Sequence, residues 1–134
     1  MEQGTETIIE KIYIPAKPLE VYKALTDPEQ HAEFTGARVT GDAKVGGTFT
    51  ALNEYILGKY LDLEEGKRIL QEWQTDKWPK DHLPSILELS LAPFDEGTEL
   101  RVVHAFVPKE NVEVFRVGWF DFYWNPLKTY FNKV

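Results

Sequence analysis

The chain has no cysteine among its 134 residues, which removes disulfides, thiolate nucleophiles and the common structural zinc sites, and fits a reducing compartment. Basic residues are also short: 15 Lys and Arg stand against 22 Asp and Glu, for a net charge of −7. A phosphate backbone or an anionic lipid surface is a poor partner for such a chain, so no nucleic acid is expected. No apolar run approaches the roughly 18 residues of a membrane-crossing helix, and residues 1–7 carry neither the basic nor the apolar part of a secretion signal. The expectation is a cytoplasmic protein with no membrane insertion. His31, His82 and His104 fall in three different elements with no i+4 pair, so no metal site is expected. Nucleophile elbows, phosphate-cradling glycine loops and HExxH-type motifs are missing too. No cofactor is expected, and the reading leans away from an enzyme.

What is present suffices for one core. With 43% apolar, 13% aromatic and 28% charged residues, the chain reads as a single domain over 1–134. A β-branched segment at 7–14 stops at Pro15 and predicts a strand. Helices are predicted at 18–25, opened by Pro18, and at 27–34, where Asp27, Pro28 and Gln30 suggest a capping box and Gly36 a stop. From 37 to 107 the hydrophobic period becomes two, broken by turn residues at 46–47, 53–54, 65–66 and 95–97. Strands are predicted at 48–52, 55–63, 68–75, 85–91 and 98–107, with a weaker one at 37–40. Leu87, Leu89 and Leu91 alternate with polar residues, as do Leu100, Val102, His104 and Phe106.

A helical period returns at Val112 and runs to Phe131, with a kink expected at Pro126. Eight aromatic residues lie between Phe115 and Phe131, and the apolar arc is wider than one sheet face requires. The edge bearing Val117, Trp124 and Phe131 is therefore a candidate homodimer contact centred on Trp124. The fold class is α+β: a curved antiparallel sheet of about six to seven strands wrapped round a long C-terminal helix, with two short helices after the first strand.

Candidate binding residues follow from strand parity and the helical wheel. Phe49, Tyr60, Trp73, Leu89, His104, Phe106, Trp119 and Tyr123 face the space between sheet and helix, and Arg116 falls in the middle of the helical arc, free either to snorkel outward or to pair with a buried acceptor. His104, on an apolar face, is a satisfied core histidine or else a ligand contact or acid–base group. Trp73 either lines the space or packs plainly in the core.

Several stretches in order, 21–28 (VYKALTDP), 34–36 (FTG), 46–49 (GGTF), Gly58, 71–73 (QEW), 78–79 (WP), 97–100 (GTEL), His104, 107–108 (VP), 118–119 (GW) and 126–128 (PLK), resemble the activator of heat-shock-protein-90 ATPase homologue family. That family is a branch of the helix-grip superfamily of START domains and the birch-pollen allergen. The resemblance, to the C-terminal domain of the eukaryotic co-chaperone, implies a helix-grip fold and three functional expectations. The first is a non-enzymatic, stress-associated binder of an apolar small molecule or lipid. The second is a protein-binding domain that regulates a chaperone ATPase. The third is a polyketide cyclase- or hydrolase-like enzyme using His104, for which the family supplies no catalytic set.

Overall fold

The computed structural model describes residues 4–132, so the acidic opening at 1–3 lies outside the described residues. The order is β1 (Thr5–Ile14), α1 (Pro18–Thr26), α2 (Pro28–Thr35), β2 (Thr40–Gly41), β3 (Thr48–Ala51), β4 (Ile56–Glu64), β5 (Arg68–Thr75), β6 (Ser85–Phe94), β7 (Gly97–Pro108), a short 3-10 turn (Lys109–Asn111), α3 (Val112–Trp119), a π-turn (Phe120–Trp124) and α4 (Asn125–Phe131). The seven strands form one antiparallel sheet in the order β1-β7-β6-β5-β4-β3-β2. Neighbours in sequence are neighbours in the sheet except β1, which crosses to pair with β7. This is the expected helix-grip arrangement, and its α+β class follows from one apolar sheet face closing on one long helical run.

Local chemistry sets the element ends. Glu20 Oε1 accepts from the Lys17 N–H at 3.0 Å at the start of α1. Asp27 Oδ1 accepts from the Glu29 N–H at 3.3 Å at the start of α2, and Gly36, at φ +75°, ends it. Gln30 bonds the Asp27 side chain instead of reaching back to the backbone, so the cap is not the full reciprocal box. The core lies between the sheet's concave face and the long helix: Ile8, Ile14, Ile69, Leu87, Leu100, Val102 and Leu127 are fully or almost fully buried. The weak strand expected at 37–40 is reduced to Thr40–Gly41.

Two expectations need correction. Phe106 is 60% exposed with φ +61°. One extra residue in β7, between the Glu6/Val107 and Ile8/His104 pairs, reverses the alternation, sending Phe106 out and Val107 in. Trp124 is fully buried, whereas Val117 is 56% exposed, so these two do not share a surface edge and Trp124 cannot centre a homodimer contact. Trp124→Glu would bury a charge in the core rather than yield a folded monomer.

The π-turn explains the burial of Trp124 and stands just before Pro126, where the sequence predicts a kink. Pro126 has no N–H to give to the helical ladder, and just before it the Asn125 N–H reaches back five residues to the Phe120 carbonyl. The extra residue in that wide turn shifts the faces, so Tyr123 and Trp124, adjacent in sequence, are both buried.

Candidate functional site

The space between sheet and helix is only partly filled. A cavity of about 450 Å³ opens between α3, the π-turn, the segment following α2 and the β3–β4 turn. Its inner walls are Trp73, Phe115, Trp119 and Tyr123; Val114, Gly118 and Phe122 form the helix side; Thr35, Ala37, Leu52, Asn53, Tyr55 and Ile56 complete the rim and floor. None of these carries a formal charge. Val114 and Phe122 are more than half exposed and Tyr55 is exposed, so the mouth is apolar. Gly118 leaves room at the wall: a Cβ there would meet only Phe122 Cδ2, at 3.9 Å.

The rim is fastened locally. Leu52, Asn53 and Glu54 all have positive φ, an uncommon run for non-glycine residues. Cross-links to the α2–β2 segment hold it: the Asn53 N–H donates to the Arg38 carbonyl at 3.1 Å, Asn53 Oδ1 accepts from the Arg38 N–H at 2.8 Å, and the Arg38 guanidinium pairs with Glu54 at 2.8 Å. On the far side, Trp78 stacks on Phe115 with centroids 6.0 Å apart and donates its indole N–H to the Leu83 carbonyl.

Two buried histidines stand behind the inner wall. Trp119 donates its indole N–H to His104 Nδ1 at 3.1 Å. Because an indole nitrogen only donates, His104 keeps its proton on Nε2, which donates to Ser85 Oγ at 2.8 Å; Ser85 in turn donates to the Trp73 carbonyl at 2.6 Å. Burial pushes His104 down to about 3. On the other flank the Tyr123 hydroxyl lies 2.7 Å from His31 Nε2. The Leu25 backbone hydrogen-bonds the His31 ring, a contact that favours its protonated form; a carbonyl acceptor for Nδ1–H meets that condition, so Nε2 accepts from Tyr123. Burial outweighs this bond and pushes His31 down to about 4, while Tyr123 is raised, first by burial. Both rings are neutral and fully partnered.

Of the nine candidate residues, Trp73, Trp119 and Tyr123 line the cavity. Phe49 and Leu89 instead border a small void of about 20 Å³, with Gln71, Trp124 and the same three aromatics, room for about one water. Tyr60 packs on Phe49 at 4.9 Å, and burial raises it to about 12. His104 is fully buried behind Trp119, with both ring nitrogens hydrogen-bonded, and does not line the cavity. Phe106 is on the outer face, as described above. Arg116 is partly exposed, with its Nη1 3.6 Å from Glu113 and its Nε buried without a partner; it snorkels away from the cavity. Phe115 and Phe122 belong to the eight aromatics between Phe115 and Phe131 but were not among the candidate lining residues, and Leu52, Asn53 and Tyr55 carried no signal beyond the turn at 53–54, because their place depends on how the hairpin tip folds over. Among the described residues no cluster of His, Asp or Glu is arranged to hold a metal ion, and no helix is long and apolar enough to cross a membrane.

Comparison with known proteins gives the lineage. Residues 15–132 match the family model described as Activator of Hsp90 ATPase homolog 1-like protein. An uncharacterised protein of Schizosaccharomyces pombe is 32% identical over 129 residues, covering 96% of this chain and 38% of that protein. The human activator of 90 kDa heat shock protein ATPase homolog 1 is 31% identical over 115 residues, covering 86% of this chain and 34% of that protein. The chain thus spans little more than a third of the length of these relatives. A crystal structure of an HSP90 activator from Plasmodium falciparum superposes with a TM-score of 0.80 at 22% identity, covering 93% of this chain and 94% of that one, a likeness of fold. By the span of the family match and the identity to these relatives, this chain belongs to the Activator of Hsp90 ATPase homolog 1-like family.

Proposed function

We propose that this domain binds one small, uncharged, mostly apolar molecule in the cavity beside α3, without catalysing a reaction on it. The observation that carries this reading is the 450 Å³ cavity with no formally charged residue among its lining, a size and composition usual for small-molecule sites. Its nearest histidines are neutral and turned to internal partners, which leaves the cavity without an acid–base pair. Native mass spectrometry of the purified protein tests for a co-purified ligand, and N-phenyl-1-naphthylamine, a neutral fluorescent probe, tests the cavity directly. Saturable probe binding is expected, and Gly118→Phe, which projects a ring into the open wall, should abolish it while the protein stays folded. Absence of saturable binding, or equal binding by Gly118→Phe, overturns the reading.

A second reading is favoured by the likeness to the human activator of a 90 kDa heat-shock-protein ATPase. In it the domain contacts a chaperone of that class in the cytoplasm, under stress, and the exposed Val114, Val117 and Phe122 supply apolar contact area. Titration into such a chaperone should then give saturable binding and a raised ATPase rate. No binding at high micromolar concentration removes this reading.

A further inference from the structure

Six residues lining the cavity have polar side-chain atoms, and five are accounted for. Thr35 donates its hydroxyl to the His31 carbonyl at 2.8 Å. Asn53 Oδ1 accepts from the Arg38 N–H, and Asn53 and Tyr55 are exposed at the rim, where water serves their remaining groups. Trp119 gives its N–H to His104, and Tyr123 gives its O–H to His31. The two histidines thus draw the polar atoms of two inner walls away from the cavity, leaving ring surface.

The sixth is Trp73. It is 4% exposed, and among the described residues its indole N–H has no acceptor, although the indoles of Trp119 and Trp78 both have one. The fully enclosed unpaired nitrogens are Arg116 Nε and Trp124 Nε1; Trp73 Nε1 therefore borders open volume. Trp73 stands with Ile69 and Gln71 on the helix-facing side of β5, towards the cavity and the adjoining small void; a groove of about 430 Å³ that it also borders is lined mainly by Thr48, Thr50, Lys59, Glu72 and Gln74, which alternate to the other face of the sheet. A buried donor facing open space attracts an acceptor, because leaving it unpaired is costly.

We infer that Trp73 Nε1–H is the recognition donor of the cavity, and that the ligand is an apolar body carrying one neutral hydrogen-bond acceptor, a ketone, ester or ether oxygen, at its inner end. A carboxylate is disfavoured there, since no cation lines the cavity to offset its burial. A ligand hydroxyl whose proton must find an acceptor is disfavoured as well, because the wall presents a donor. This inference rests on the proposed ligand-binding role and adds the class of ligand.

Benzophenone and diphenylmethane, similar in shape and differing by the carbonyl, are suitable probes, with 2-benzoylbenzoate as the charged arm. In calorimetric titration, Trp73→Phe should weaken benzophenone about five- to tenfold and leave diphenylmethane within about twofold, the loss of one hydrogen bond of roughly ordinary strength; 2-benzoylbenzoate should not bind. Should Trp73→Phe fail to fold, the wild-type protein supplies the answer through its four indole N–H signals in a 15N–1H spectrum: benzophenone should shift the Trp73 signal downfield and diphenylmethane should not. Equal loss of both probes on substitution, no loss of either, or identical indole shifts from the two overturns the donor role while leaving the cavity as a binding site. If neither neutral probe binds the wild type, the ligand-binding role fails and this inference with it.

Discussion

The indole N–H of Trp119 meets Nδ1 of His104 at 3.1 Å inside the protein, and this one bond sets the tautomer of the histidine and holds a cavity wall in place. Trp124, stacked on Trp119 with centroids 5.1 Å apart and planes 12° from parallel, has an N–H with no acceptor. Trp119→Phe should therefore destabilise the protein by about 1–3 kcal/mol more than Trp124→Phe in urea unfolding, since only the first leaves a buried acceptor unpaired. Equal losses would show that the Trp119–His104 bond contributes nothing net.

Acid should unfold the protein through its two buried histidines. In the unfolded chain both titrate near about 6.5, but folded they titrate at about 4 for His31 and about 3 for His104. Between those values the unfolded chain holds more protons. Their contribution is complete above the unfolded value and is lost as the pH falls towards the folded values, at up to about 1.4 kcal/mol per pH unit for each ring. Urea unfolding followed from neutral pH down to about pH 5, above most carboxylate titration, should show this slope. His31→Gln should remove about half of it, and an unchanged slope would rule out His31 as a source.

Gly58 marks where the sheet admits the Phe49 ring. A Cβ at residue 58 would lie 2.2 Å from Phe49 Cζ and 2.8 Å from the Glu72 carbonyl oxygen, so Gly58→Ala should cost about 1–3 kcal/mol by overpacking. Phe49→Leu in the same chain should recover part of that loss, leaving the Glu72 contact. Additive losses in a double-mutant cycle would place the strain elsewhere.

Phe106 should be replaceable. Its side chain is exposed and its φ of +61° suits Asn better than Phe, so Phe106→Asn should leave thermal unfolding unchanged or raise the midpoint slightly, with N-phenyl-1-naphthylamine binding intact. A loss comparable to a core truncation would contradict the bulge.

Much of the fold was legible because it rests on local rules. The alternation of Leu87, Leu89 and Leu91, the prolines at 18 and 28 and the turn glycines marked the main strands and short helices to within three residues at each end. Local rules also marked Trp73, Trp119 and Tyr123 as inward-facing, and all three line the cavity. Phe106 faces outward, against the alternation, because β7 carries one extra residue between the partners of Ile8 and Glu6, and only the pairing with β1 reveals it. Trp124 was misplaced because a 100° wheel assumes an unbroken α-helix, which the π-turn before Pro126 interrupts. Pro126 predicts a kink from sequence, but not the extra residue that shifts the faces. His104 was assigned to the right face, but only three-dimensional pairing with Ser85 and Trp119 shows that both its nitrogens are occupied.

The position of β1 at the sheet edge has a consequence for synthesis. Its partners are distant in sequence: Thr5 pairs with Pro108 and Ile14 with Thr98. At a translation speed of about 5–20 residues per second, β1 waits several seconds for β7 to be made. During that interval the other strands can form hairpins with their sequence neighbours, while Ile8, Ile12 and Ile14 have no sheet to join. A nascent chain stalled before β7 therefore presents a strand of alternating isoleucines with its backbone unpaired, a template on which neighbouring chains can add.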